Sequence, residues 1–260
     1  MSFYELYSFQ NYSFEIRNIK FLVSKTKLMK QIKNIILKFP QIYLYYKKLT
    51  YIFLAFSSGT KEKNIFQEAS TTEYDRHPDL FNFLKSRYSD KQIKILSFGC
   101  SSGEECISLN KYLPNASILG VDINKKSLAK AEKINSNKNI IYKYCEPKDI
   151  YNLGEFDVVL AISVLCKHPE AEYLNNLSKI YPFKRYEDMV HKLDSVVKQE
   201  GLLIIRSSNY IFSDTKTSNN YQLIKNNNAR KSKAFPKFNS QGLKKTDYFE
   251  NKEIFKKNIT

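Results

Sequence analysis

The amino-acid sequence predicts an α/β domain on a parallel sheet, and two observations predict it. Between residues 79 and 205, short apolar runs alternate with stretches of 3.6-residue apolar period. The first of those runs ends in a glycine-bearing turn that feeds a helix. Alternating buried strands and helices are the mark of βαβ units, whose ligands bind at the carboxyl ends of the strands.

The elements follow in order. Asp79 to Tyr88 reads as a helix with Pro78 suited to its first turn. Lys94 to Phe98 is a short apolar strand and Glu104 to Leu113 a helix. Ser117 to Val121 and Lys125 to Ile134 repeat the pair, and Ile140 to Tyr144 and Phe156 to Ile162 add two more strands. The helical period returns at Tyr186, Met189, Val190, Leu193, Val196 and Val197, with Gly201 as its expected C-cap. Leu202 to Ile205 is a further buried strand.

Composition sets the boundaries. The chain has 260 residues with 42% hydrophobic and 14% aromatic content, which excludes a mainly disordered or collagen-like polypeptide. Its formal charge of +16 is uneven: residues 1–65 carry +8, residues 66–212 carry +1 and residues 213–260 carry +7. We therefore expect three parts: a basic helical extension (1–65), a ligand-binding α/β domain (66–212) and a basic tail (213–260). In the extension, Leu28, Ile32, Ile35, Ile36 and Phe39 share a helical face, and Ile42, Tyr45, Tyr46, Leu49, Ile52, Phe53 and Phe56 share another. Such faces either pack on the main domain or, through residues 25–56, touch an anionic membrane surface. Lys47 and Lys48 interrupt the most apolar stretch, so it does not read as a membrane span. The first twenty residues lack a basic segment followed by an apolar one, and no secretory signal is expected. Cys100, Cys106, Cys145 and Cys166 form no CxxC pair and read as reduced, buried thiols of a cytoplasmic protein, with no metal site.

The chemistry concentrates in Lys94-Ile-Leu-Ser-Phe-Gly99-Cys-Ser-Ser-Gly103-Glu104-Glu105. Gly99 permits a tight turn and close approach of the backbone to a ligand, and Gly103 is expected to let the loop pass beneath one. No GxxxxGK[ST] is present, so this is not a phosphate-binding P-loop. Glu104 and Glu105 at the helix start would repel a pyrophosphate and suit a ligand with positive charge. Asp122 ends the next strand, where a carboxylate can accept hydrogen bonds from both hydroxyls of a ribose.

SFGCSSGEE, GVDIN, FDVVLAISVL and EGLLII, in this order, resemble the class I S-adenosylmethionine-dependent methyltransferases over about residues 76–212. The first motif is similar to the GCSTGEE form of the chemotaxis-receptor methyltransferases, but Cys106-Ile107 replaces their Pro-Tyr and the rest of the chain differs from theirs. Ser97 and Ser101 stand where the commoner family form has an acidic residue and glycine. The resemblance implies a Rossmann-like, mostly parallel sheet with an antiparallel last strand, supplied by Lys233 to Asn239 and Glu253 to Asn258. It implies S-adenosyl-L-methionine as cofactor. Gly99, Cys100, Ser101 and Gly103 would line its methionine and ribose portions, Asp122 would hold the ribose, Ile123 would pack on the adenine and Glu146 would meet the adenine edge. Ser163, at the end of the fourth strand, would face the transferred methyl.

His168 is the candidate general base, and Arg206, Asn209 and Tyr210 are candidate acceptor contacts after the fifth strand. Tyr74 and Arg76 lie where such enzymes often place a lid. Ala161-Ile-Ser-Val-Leu-Cys lacks an NPPY-like clamp for planar amines, and Cys166 is followed by Lys167 rather than lying beside proline. Nucleic acid is therefore not favoured, and a small-molecule, lipid-like or protein acceptor is expected. The alternative is a catalytically silent module of the same fold that binds nucleic acid or membrane through its basic ends.

Overall fold

A computed structural model describes residues 65–67, 72–168, 170–225, 235–245 and 253–259. The two amphipathic faces expected within residues 25–56, and nearly all of the basic extension, lie outside the described residues. The element order is α1 (Pro78–Tyr88), β1 (Lys94–Phe98), α2 (Glu104–Tyr112), β2 (Ser117–Asp122), α3 (Lys125–Ile134), β3 (Ile140–Tyr144), β4 (Phe156–Ile162), α4 (Glu170–Tyr173), α5 (Phe183–Asp194), β5 (Val197–Arg206), β6 (Tyr221–Ile224), β7 (Lys237–Phe238), β8 (Lys244–Lys245) and β9 (Ile254–Lys257). Seven strands form one sheet in the order β3-β2-β1-β4-β5-β9-β6, with β9 antiparallel to both of its neighbours.

Alternate residues of each strand enter opposite cores. Ile95, Val158, Leu160 and Ile204 face α1, α2 and α3 through Leu80, Leu84, Leu109 and Leu128. Leu96, Val159, Ala161, Leu203 and Ile205 face α5 through Tyr186, Met189, Val190 and Leu193. A sheet covered on both faces needs continuous apolar strands, which is why the runs at β1, β4 and β5 were legible without alternation. From β1 the chain winds outward to β2 and β3, and from β4 it winds the other way. The crevice between the carboxyl ends of β1 and β4 is therefore the topological switch point, the place where such sheets bind ligands.

Two expectations need correction. Gly201 is not a helix cap: α5 ends at Asp194, and Gly201 lies inside β5. Val196 O accepts Phe156 N at 2.8 Å and Val197 pairs with Phe156, after which the register shifts before Val158 meets Leu202. Glu200, at φ +63°, marks that bulge. A Cβ on Gly201 would stand 2.9 Å from Lys198 O and 3.1 Å from Asp157 O, so the glycine serves close backbone approach. The tail does supply the antiparallel strand, as β9, but the partner expected at 233–239 is not in the sheet. Its place is taken by β6, whose Tyr221 packs edge-on against Phe212 and donates its hydroxyl to Asp194 at 2.8 Å. Lys237 and Phe238 instead form a two-stranded ribbon with β8.

Arg206 fastens three distant segments at the end of β5. Its guanidinium makes a two-pronged contact with Asp79 of α1 at 2.7 and 3.1 Å and donates Nε to Glu253 at 2.7 Å. It also lies 3.1 Å from His77 Nδ1. Burial, with Arg206 beside it, lowers the His77 pKa to about 3, so the ring is neutral and Nδ1 accepts from Arg206. The Arg206 and Asp79 side chains are only 10% and 7% exposed. Removing one partner of such a pair strands the others without compensation. Arg206→Ala should lower unfolding free energy by about 3–5 kcal/mol in urea titrations. A loss below about 1 kcal/mol would mean the cluster behaves as a solvated surface pair.

Candidate active site

Three residues of the β1–α2 loop take left-handed backbone: Gly99 (φ +77°), Ser101 (φ +50°) and Gly103 (φ +89°). The loop is tied to β2 through Gly99 N and Cys100 N, which donate to Val121 O at 2.8 and 3.1 Å. Asp122 completes the tie. Its Oδ2 accepts Ser101 N at 2.8 Å and its Oδ1 accepts Asn124 N at 2.7 Å. Each oxygen retains acceptor capacity, so the carboxylate can hold the loop and take two further hydrogen bonds from a ligand diol.

The glycines have different reasons from one another. A Cβ on Gly99 would meet Val164 Cγ2 at 2.5 Å, so this turn brings the β1 and β4 ends together. A Cβ on Gly103 would strike the Tyr142 hydroxyl and come within 2.9 Å of Ala131 Cβ. Tyr142 in turn donates to Gly103 O at 3.1 Å. What Gly103 makes room for is thus the β3 tyrosine beneath the loop, a partner that the sequence reading missed. The Cys100 thiol is buried with Cys106, and their hydrogen bond together with burial pushes its pKa well up. Only the Cys100 backbone is therefore available to a ligand. The Ser101 hydroxyl is buried with no protein partner among the described residues. An orphaned hydroxyl beside a carboxylate with spare acceptor capacity fits a polar ligand lying along this loop.

Ile123 follows Asp122 and is half-buried. Cys145 N donates to Asp122 O at 3.2 Å, which brings the turn carrying Glu146 alongside. Glu146 accepts the Tyr144 hydroxyl at 2.9 Å and pairs with Lys148 at 3.2 Å. Those contacts, the Tyr144 bond first, hold its carboxyl below the usual range.

On the opposite side of the crevice, Ser163 has φ +55° and lies 3.5 Å from an Arg76 guanidinium nitrogen. The segment carrying Arg76 is fixed to α2: Asp75 N donates to Ser108 Oγ and Tyr112 donates to Asp75, at 2.8 and 2.7 Å. His168 Nδ1 lies 3.5 Å from Glu172 Oε1, and its ring packs on Phe235. Its main chain is bracketed by the Gln67 side chain.

Three expected acceptor contacts have other duties. Tyr210 is fully buried among Tyr181, Phe183, Tyr186 and Phe238, with its hydroxyl on Tyr181 O. Asn209, also fully buried, accepts Lys167 N at 2.6 Å and donates to Pro236 O at 3.0 Å. Arg206 is held by Asp79 and Glu253, as above. All three support the acceptor side from behind, and they are not carried into the site.

The profile of a family described as "Methyltransferase domain" matches residues 89–255, more than half of the chain. The chain belongs to the class I S-adenosylmethionine-dependent methyltransferases. This methyltransferase is 29% identical to malonyl-[acyl-carrier protein] O-methyltransferase of Bacillus cereus over 43% of its own length and 42% of that protein's. It is 29% identical to release factor glutamine methyltransferase of Flavobacterium psychrophilum over 51% of its own length and 45% of that protein's. The chain thus spans less than half the length of these relatives. A solved magnesium protoporphyrin IX methyltransferase of Synechocystis with bound cofactor is 17% identical and covers 57% of this chain and 68% of its own, with a TM-score of 0.41. No group of three or more metal-ligating side chains occurs among the described residues, and no helix there is long and apolar enough to cross a membrane.

If Asp122 receives the cofactor's ribose, two charge-assisted hydrogen bonds depend on it. Asp122→Ala should weaken S-adenosylhomocysteine binding by about 100-fold in calorimetric titration. Binding within threefold of the wild type would exclude Asp122 as the ribose anchor.

Proposed function

We propose that this methyltransferase carries out in-line methyl transfer to an oxygen or nitrogen of a small-molecule, lipid-like or protein acceptor. The observation that carries the reading is the glycine loop, held by Asp122 on one side of the switch-point crevice, with Ser163 at the β4 end on the other. Asp122 would hold the ribose, Ile123 and Glu146 the adenine, and the backbone of residues 99–103 together with the Ser101 hydroxyl the rest. S-adenosylmethionine supplies the methyl on a sulfonium that is already a good leaving group. The protein's own work is then to align the acceptor and exclude water. The absence of an amine clamp after β4 supports a non-nucleic-acid acceptor. For a lipid-like acceptor, the basic stretch 25–56 would dock on an anionic surface, with the enzyme otherwise cytoplasmic.

Where the acceptor must lose a proton, His168 is the base in this reading. A carboxylate orienting one imidazole nitrogen leaves the other to take the proton, and Glu172 stands in that relation to Nδ1. The acceptor can be sought with labelled methyl donor and fractionated metabolites or proteins. On that acceptor, His168→Gln should lower turnover by about 10²–10⁴-fold and leave S-adenosylhomocysteine affinity unchanged. Undiminished turnover would remove His168 from the chemistry.

A further inference from the structure

Glu105 belongs to the second position of α2, and its carboxylate turns back beneath the glycine loop to the end of β1. There its Oε1 accepts the Ser97 hydroxyl at 2.9 Å. This is its one hydrogen bond among the described residues, and no cation there lies within ion-pair distance of it. An ionised carboxylate has about four acceptor positions. One is filled here, at a half-buried site where an uncompensated charge is costly.

The groups facing Glu105 are few. On its own helix, Glu104 is held by the Ser102 hydroxyl. From the loop comes Cys100, whose thiol feels the Glu105 charge. From the segment before α1 comes Arg76 and from the end of β5 comes Arg206, and both act to lower its pKa. Burial outweighs them and pushes the carboxyl up to about 7.

Strand order fixes what reaches this point. Asp122 on β2 marks the ribose position, and β3 lies beyond it on the adenine side. Glu105 stands on the other side, at the β1 end, within the influence of Arg76 at Ser163 and of Arg206 on β5. A ligand anchored at Asp122 therefore brings its amino-acid end here. We propose that Glu105 is the counter-ion that receives the α-amino group of S-adenosylmethionine; this rests on the methyltransferase reading above.

The cofactor has a second cation, the sulfonium, and the chemistry decides between them. A carboxylate set against the sulfonium would stabilise the charge that methyl transfer removes, favouring the ground state over the transition state. The ammonium keeps its charge throughout, and its three N–H donors match the open acceptor positions. Because a bound ammonium favours the ionised carboxylate, loading of the site expels the proton that Glu105 holds near neutrality. The sign follows: affinity rises with pH through the titration of Glu105 in the free protein.

The test is calorimetric titration of the full chain and of Glu105→Gln with S-adenosylhomocysteine and with 5′-methylthioadenosine, which lacks the amino-acid portion, at pH 6 and 8. For the wild type, S-adenosylhomocysteine should bind about tenfold more tightly at pH 8 than at pH 6, from a titration near 7. At pH 8, Glu105→Gln should bind it about 10–100-fold more weakly and without the pH dependence. Binding of 5′-methylthioadenosine should follow neither change. Equal affinity of the variant for S-adenosylhomocysteine, or an equal loss for both compounds, overturns the proposal. If the variant does not fold, the wild-type profile decides, and a flat profile for S-adenosylhomocysteine overturns it. Binding of neither compound by the wild type overturns the methyltransferase reading, and the proposal with it.

Discussion

The arrangement of the site depends on one carboxylate. Asp122 ends β2 and accepts backbone amides from two directions, Ser101 in the β1–α2 loop and Asn124 at the start of α3. The loop that bears the left-handed residues would otherwise have no reason to close against β2. Asn124 in turn caps α3 by accepting Lys126 N and Ser127 N. A single side chain thus sets the loop, the adjoining helix start and the acceptor atoms that remain for a ribose. Tyr142 supports the same loop from below, and Gly103 is the residue small enough to let it do so.

The acceptor side is built on a different principle. Arg206 gathers α1, β5 and the residue before β9, and Asn209 ties the segment after β4 to Pro236. Behind them, aromatic rings around Tyr210 fill the space under α5. This side is therefore rigid at its base, while the groups near the crevice mouth, Arg76, Ser163 and His168, are carried on loops. A fold that fixes the cofactor side by backbone and the acceptor side by buried polar ties leaves loop residues free to set specificity.

Much of the fold was legible because the strands are buried on both faces. The runs at β1, β3 and β4 begin and end where the apolar residues do, and the glycine turn after β1 is visible in the sequence alone. Legibility failed where tertiary contacts overrode local pattern. Val196 and Val197 continue the helical period of α5 by coincidence, yet Val197 is claimed by pairing with Phe156. The strand β6 follows an Asn-rich stretch and is short, so only its Tyr221 contact with Asp194 and its pairing with β9 reveal it. In the site, Asp122 and the glycines were readable from spacing. Arg206, Asn209 and Tyr210 were correctly placed after β5, but sequence cannot show that a polar side chain turns inward to satisfy buried partners. Glu105 was visible only as one of two glutamates at a helix start. Its turn back to Ser97 required coordinates.

The central claim is that a cofactor lies across the β1–β2 carboxyl ends, with its ribose on Asp122 and its amino group on Glu105. The most direct measurement is a crystal structure of the complex with S-adenosylhomocysteine. The account predicts both ribose hydroxyls within hydrogen-bond distance of the Asp122 carboxylate and the α-amino nitrogen within the same distance of Glu105. A ribose bound away from Asp122, or the amino-acid end directed toward β3, would contradict it.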